Sequence, residues 1–251
     1  MKIFFIGWHQ PVNGKSGCQD FPYAMISINR LLGRKSKFPV QNWLLDSGAF
    51  SRITSKKGHL SVKKYAQEIY KWQQNGNLMA AVTQDYMCEK FVLEATGLSV
   101  KIHQQLTIHR YDRLLSEMKR FPDSPYIMPV LQGYSPSEYL DHLKAYGDRL
   151  KQGMWVGVGS VCKRNGKPGQ VAQVLLAIKT ARPDLRLHGF GIKKKSLEDP
   201  IVWDLLYSAD SQAATLANGK GSNKYVGSNN PLTALNYAKR IKRPLQLSIF
   251  S

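Results

Sequence analysis

Short apolar runs recur along the chain, each giving way to a polar or small residue and then to a stretch with helical periodicity. Strands are predicted over residues 2–8, 43–49, 79–85, 126–132, 155–161 and 186–192, with a further one running into Asp210. Helical patterns fall between them. Residues 61–74 open on a serine cap and place Val62, Tyr65, Ile69 and Trp72 on one face. Residues 98–118 form a longer helical region. Ser135-Pro136-Ser137-Glu138 opens another helix, with proline in the first turn and an acid near the N-terminus. Residues 171–180 and 232–241 follow the same logic.

Repeated strand–helix units imply an α/β protein with a parallel sheet and right-handed crossovers, either a (β/α)8 barrel or a doubly wound sheet. Seven strands and a weakly marked eighth favour the TIM-type barrel. A chain of 251 residues suits one domain of that size, expected over residues 1–244, with a C-terminal tail over 245–251. Such barrels gather function at the C-terminal ends of their strands. The polar residues Asp46, Asp85, Gln132, Gly159, His188 and Asp210 fall there. Leu44-Leu45-Asp46-Ser47-Gly48 and Leu206-Tyr207-Ser208-Ala209-Asp210-Ser211 each set one aspartate where an apolar run ends. Carboxylates in that setting are seldom structural, because an unpaired buried charge is costly. Two of them on equivalent strand ends can converge on one substrate as nucleophile and acid/base. The plain alternative for Asp46 is an Asx-turn held by the following Ser-Gly.

Charge narrows the partners. Lys and Arg number 36 against 17 Asp and Glu, a net charge of +19. Such a surplus favours a polyanion, since contacts to phosphates release counterions; a merely basic protein is the bland alternative. Lys163-Arg164-Asn165-Gly166-Lys167 and Lys193-Lys194-Lys195 follow strand ends, and Lys220 lies in a loop, 217–224, expected to be flexible and to face phosphates. Cys18, Cys88 and Cys162 are too scattered for a metal site or a disulfide framework, which fits a reducing cytoplasm. Neither cysteine near the strand-end motifs has an evident base, so packing is the default reading. No metal or redox cofactor is expected. His59, His103, His109 and His142 lack ligand spacing and read as surface or helix-face residues. Gly157-Val158-Gly159-Ser160 superficially evokes a dinucleotide loop, but the third glycine is missing. The opening apolar run is too short for a signal peptide and reads as a first strand; no segment is long enough to span a bilayer.

In order, these strand ends resemble motifs of the tRNA-guanine transglycosylase superfamily, barrel enzymes that exchange guanine for a 7-deazaguanine base. Asp46-Ser47-Gly48-Ala49-Phe50 resembles its DSGGF/Y segment and Thr83-Gln84-Asp85-Tyr86-Met87-Cys88-Glu89 its FDEC segment. Val130-Leu131-Gln132-Gly133 resembles VQG, Val156-Gly157-Val158-Gly159-Ser160 resembles VGGLA, and Leu187-His188-Gly189-Phe190-Gly191 resembles LMGVG. Ser208-Ala209-Asp210-Ser211 stands where the family keeps its nucleophile. The zinc-binding CxCxxC…H segment should follow, yet no cysteine lies beyond Cys162. A compact relative without a zinc subdomain resembles the DNA-modifying, DpdA-like branch, which places bases such as 7-cyano-7-deazaguanine (preQ0) into DNA.

The resemblance implies Asp210 as the nucleophile at the sugar C1′ and Asp46 as general acid/base. Asp85 and Gln132 then read the Watson–Crick edge, the carboxylate accepting from guanine's N1–H and amine, the amide donating to O6. Backbone around Gly133 and Gly157–Ser160 completes that edge, glycine permitting close approach. Phe50 and His188 align with the residues that sandwich the base, where stacking is worth about 1–3 kcal/mol; plain core packing is the alternative for Phe50, a buried hydrogen-bonded ring for His188. The target nucleotide must be flipped or presented single-stranded, by the protein itself or with a helper protein. Gln246-Leu247-Ser248-Ile249-Phe250 resembles a peptide that docks on the bacterial sliding clamp, and otherwise alternates as a last strand. Partners implied are DNA and a deazaguanine base, in the cytoplasm of a bacterial or phage-infected cell. The rivals are the same exchange on tRNA, a non-catalytic nucleic-acid-binding barrel, and a glycosidase that only removes the base.

Overall fold

The computed structural model describes residues 1–8, 21–164, 166–214 and 231–244, with backbone alone at Lys163, Pro231 and Leu232. Among the described residues, nine strand segments run in chain order: β1 (Ile3–Trp8), β2 (Tyr23–Ser27), β3 (Asn42–Asp46), β4 (Asn77–Val82), β5 (Ile127–Met128), β6 (Val130–Leu131), β7 (Trp155–Val158), β8 (Arg186–Gly189) and β9 (Leu206–Ser211). They pair in parallel in the order β5-β4-β3-β2-β1-β9-β8-β7-β6. β5 and β6 are one course of chain interrupted at Pro129, so the two ends of that order meet and the sheet closes into a barrel of eight staves. Proline has no N–H to offer β7. The hydroxyl of Tyr126 replaces it, donating to the Trp155 carbonyl at 2.7 Å, while Gly157 N–H donates to the Pro129 carbonyl at 2.8 Å. The expected (β/α)8 fold is therefore the observed one, and β2 is its weakly marked eighth strand.

Side chains alternate across each strand. Phe5, Met25, Leu44, Ala80, Val82, Met128 and Val130 form one buried cluster that fills the barrel. The opposite faces pack under the helices in a larger cluster that includes Trp43, Leu45, Tyr65, Ile69 and Leu187. Stepping two residues along the inward face from Met25, Leu44 and Val130 reaches Ser27, Asp46 and Gln132. Asp210 sits opposite inward-facing Phe5, and His188 lies between Gly157 and Ser208. One period-two rule thus delivers most of the polar strand-end residues to the same mouth.

The helices lie between successive staves. α2 (Val62–Trp72) is capped by Ser61, whose hydroxyl accepts from Lys64 N–H. α4 (Val100–Met118) is capped likewise by Ser99, and α5 (Pro136–Tyr146) by a reciprocal Ser135–Glu138 capping box. α6 (Pro168–Ala181) and α9 (Pro231–Lys239) match the remaining patterns. Four short helices had no periodic signal: α1 (Ala49–Thr54), α3 (Lys90–Thr96), α7 (Lys194–Leu197) and α8 (Pro200–Leu205). No helix among the described residues is long and apolar enough to cross a membrane.

Candidate active site

Asp210 is held from one side. Its Oδ1 accepts from Gly191 N–H at 2.9 Å and lies 3.4 Å from His188 Nε2, while Oδ2 takes no hydrogen bond from a described residue. The histidine is fixed in turn. Ser208 Oγ accepts from Trp155 Nε1 at 2.8 Å and lies 2.9 Å from His188 Nδ1, while His188 Nε2 faces Asp210 without a hydrogen-bond partner among the described residues. His188 is fully buried, with Phe190, Phe5 and Trp155 edge-on around it. The ring thus matches the alternative stated for it, a buried histidine with a polar partner at Nδ1.

Asp46 ends β3 on the same mouth. Burial pushes its carboxyl up to about 6, with Asp210 adding to the rise, while the Ser27 hydroxyl and the N–H groups of Gly48 and Ser47 oppose it. The charge of Asp210 therefore reaches Asp46. Asp46 also accepts from the turn N–H groups that a purely structural reading expects. Gly48 is the hinge of that turn, at φ 71°, where a side chain would collide with Asn29.

Asp85 lies just beyond β4, and burial followed by the charge of Asp46 raises its carboxyl to about 7. Gln132 Nε2 donates to Asp85 Oδ2. On the other side of that amide, Ser160 Oγ lies 2.7 Å from Gln132 Oε1 and 2.8 Å from Glu89 Oε2, so its single proton serves one at a time. Cys88 N–H donates to the same hydroxyl at 2.8 Å. Ser160 reaches this position with φ 56°, a left-handed conformation uncommon for a residue with a side chain. The backbone of Gln132, past the last ladder bond, is satisfied by side chains: its N–H donates to His142 Nδ1 at 2.8 Å and its carbonyl accepts from Gln104 Nε2 at 2.8 Å. Gly159 leaves room for the glutamine, since a Cβ there would stand 2.1 Å from Gln132 Nε2. Gly159→Ala should displace that amide and weaken binding of a purine base by about tenfold, or about 1.4 kcal/mol; an unchanged dissociation constant by calorimetry would show the amide to be uninvolved.

Of the other expected residues, Gly133 packs its backbone against the start of α5, and Gly157 gives its space to the Phe190 ring. Phe50 is 42% exposed and meets Phe91 edge-on, which sets aside core packing. Arg164 is buried, whereas Lys195 is exposed and Lys194 pairs with Glu198 on α7. Lys193 is the N-cap of that helix. Lys220 and the tail 245–251 lie outside the described residues, as does the Lys163 side chain. His103 and His142 are fully buried rather than at the surface. Sequence reasoning missed Ser27, Glu89, Gln104, His142, Ser160 and Ser208. Glu89, Ser160 and Ser208 carried a signal, since each lies inside a strand-end motif, though none was singled out for its side chain.

Taken together, a barrel mouth holds Asp210, an Asp46 that responds to its charge, and a hydrogen-bonded carboxylate–amide pair. The model of the DpdA family, described as DeoxyPurine in DNA protein A, matches residues 1–245. The chain belongs to that family. Membership in DpdA makes it, coarsely, a DNA-modifying enzyme of glycosyltransferase type, with DNA as the class of substrate. No curated protein matches the chain.

Proposed function

We propose that this protein exchanges guanine in DNA for a 7-deazaguanine base, such as 7-cyano-7-deazaguanine, through a covalent Asp210–deoxyribose intermediate. Asp210 Oδ2 attacks C1′ as the C1′–N9 bond breaks, and protonated Asp46 gives its proton to the departing guanine. The incoming base surrenders a proton to Asp46, and its N9 attacks C1′ to release Asp210. Atoms and protons balance, and no water enters the sum. A carboxyl near 6 suits this alternation, because it gives and takes a proton close to neutral pH. The observation that carries the reading is the approach of Asp46 and Asp210, close enough for one charge to raise the other carboxyl.

Asp85 and Gln132 present an acceptor and a donor side by side, the complement of guanine's N1–H and O6. A deazaguanine keeps that edge, so one pocket serves both partners in turn. Exposed Phe50 offers a stacking face, while Gly159 makes room for the Gln132 side chain that meets the base. Arg164, Lys193 and Lys195 take the DNA backbone, with Lys163, Lys194 and Lys220 as further candidates. The terminal peptide 246–250 would recruit a sliding clamp.

The test is incubation with labelled 7-cyano-7-deazaguanine and either DNA or tRNA. Label should enter DNA with equimolar release of guanine. Label in tRNA alone would overturn the DNA assignment, and abasic sites without label would make the protein a glycosidase.

A further inference from the structure

Arg164 ends the 3-10 turn Cys162–Arg164 that follows β7. Only 8% of it is exposed, and its Nε and Nη2 are sealed from solvent with no hydrogen-bond partner among the described residues. Its guanidinium carbon stands 4.3 Å from the ring centre of Tyr134, which is itself 53% exposed. An arginine cannot shed its charge to relieve burial. The ring compensates part of the cost, but it acts on the flat face of the guanidinium, whereas the unsatisfied hydrogens lie in its plane. Nε–H and Nη2–H share one edge and point in parallel, the fork that takes two oxygens of a phosphate at once.

We propose that Arg164 grips, through Nε and Nη2, one backbone phosphate beside the reacting nucleotide, while the open face of Tyr134 carries a neighbouring base. The location follows from the fold. Tyr134 comes two residues after Gln132 and Arg164 five after Gly159, so both flank the base-reading pair. A phosphodiester suits the buried edge better than a protein carboxylate, given a net charge of +19 over the chain. Lys194, already paired with Glu198, lacks this preorganisation. The inference rests on the DNA reading above and deepens it, by requiring the strand to pass over the loops after β6 and β7 with a base unstacked there.

Binding without turnover separates the two ideas. Single-stranded oligonucleotides with one guanine would carry a neutral methylphosphonate at each linkage in turn, against wild type, Arg164→Gln, Arg164→Lys and Tyr134→Ala. Wild type should lose about tenfold in affinity at one linkage. Arg164→Gln should lose as much on unmodified DNA and nothing more at that linkage, with a salt slope shallower by about 0.7. Arg164→Lys should restore the slope but not the affinity, which also guards against a glutamine variant that misfolds. Tyr134→Ala should weaken DNA with a purine beside the target more than DNA with an abasic site there. Equal affinity of Arg164→Gln and wild type, with the same linkage profile, overturns the proposal while leaving base exchange standing. No DNA binding by wild type overturns both.

Discussion

Asp210→Asn should lower base exchange by roughly 10⁴-fold or more, the scale seen when a covalent nucleophile is removed. The substitution is isosteric, and its side-chain oxygen can still accept from Gly191 N–H, now 2.9 Å from Oδ1. The fold should therefore survive. What disappears is the anionic Oδ2, free of hydrogen bonds to described residues and so available to attack C1′. Wild type incubated with a guanine-containing oligonucleotide should yield a DNA adduct that resists denaturing electrophoresis. Asp210→Asn should yield none, whereas Asp46→Asn should still accumulate some, because Asp46 only moves the proton. An adduct that persists in Asp210→Asn would place the nucleophile elsewhere. His188 belongs to the same neighbourhood: Ser208 holds its ring at Nδ1 with Nε2 3.4 Å from Oδ1, and Gly191 N–H occupies that oxygen, so Oδ2 is the atom left to react.

The barrel was legible because seven staves end in apolar-to-polar transitions and the long helices carry caps and periodicity. β2 escaped because its core, Ala24, Met25 and Ile26, is buried on both faces and so shows no alternation. α1, α3, α7 and α8 span four to seven residues, too few for a 3.6-residue period to repeat. Predicted strands also ran too far. Asp85 reads as the end of a strand, yet the ladder stops where Thr83 N–H meets the Met128 carbonyl, and the carboxylate hangs beyond it. Asp46, Gln132 and Asp210 were readable as polar residues ending apolar runs. Their supports were not, since Ser160 and Glu89 are 71 residues apart and become partners only when the barrel closes. Nor does a serine announce a φ of 56°. Arg164 stood out as charge, but its burial came from the packing of two loops.

Asp46→Asn should separate activity from stability in opposite directions. Exchange should fall by about 10²–10⁴, the usual contribution of a positioned acid/base. Stability at pH 8 should rise. Burial and the charge of Asp210 hold the Asp46 carboxyl near 6 against an ordinary 3.8, and burial and Asp46 hold Asp85 near 7. Both groups are raised, so between about pH 4 and 7 the native protein keeps protons that the unfolded chain has lost. Stability from this source is greatest at the acidic end and declines as pH rises through 6 and 7. At about 1.4 kcal/mol per pH unit the rise at Asp46 corresponds to roughly 3 kcal/mol, an upper bound because part of Asp46 stays open to the mouth. Asparagine removes that charge, relieves Asp85, and keeps an oxygen for Ser27 and the turn N–H groups. Chemical denaturation should show the variant about 1–2 kcal/mol more stable than wild type at pH 8, equal to it near pH 4, and with a shallower slope between. A variant less stable at pH 8 would instead mark the carboxylate as a cap on which the β3 turn depends.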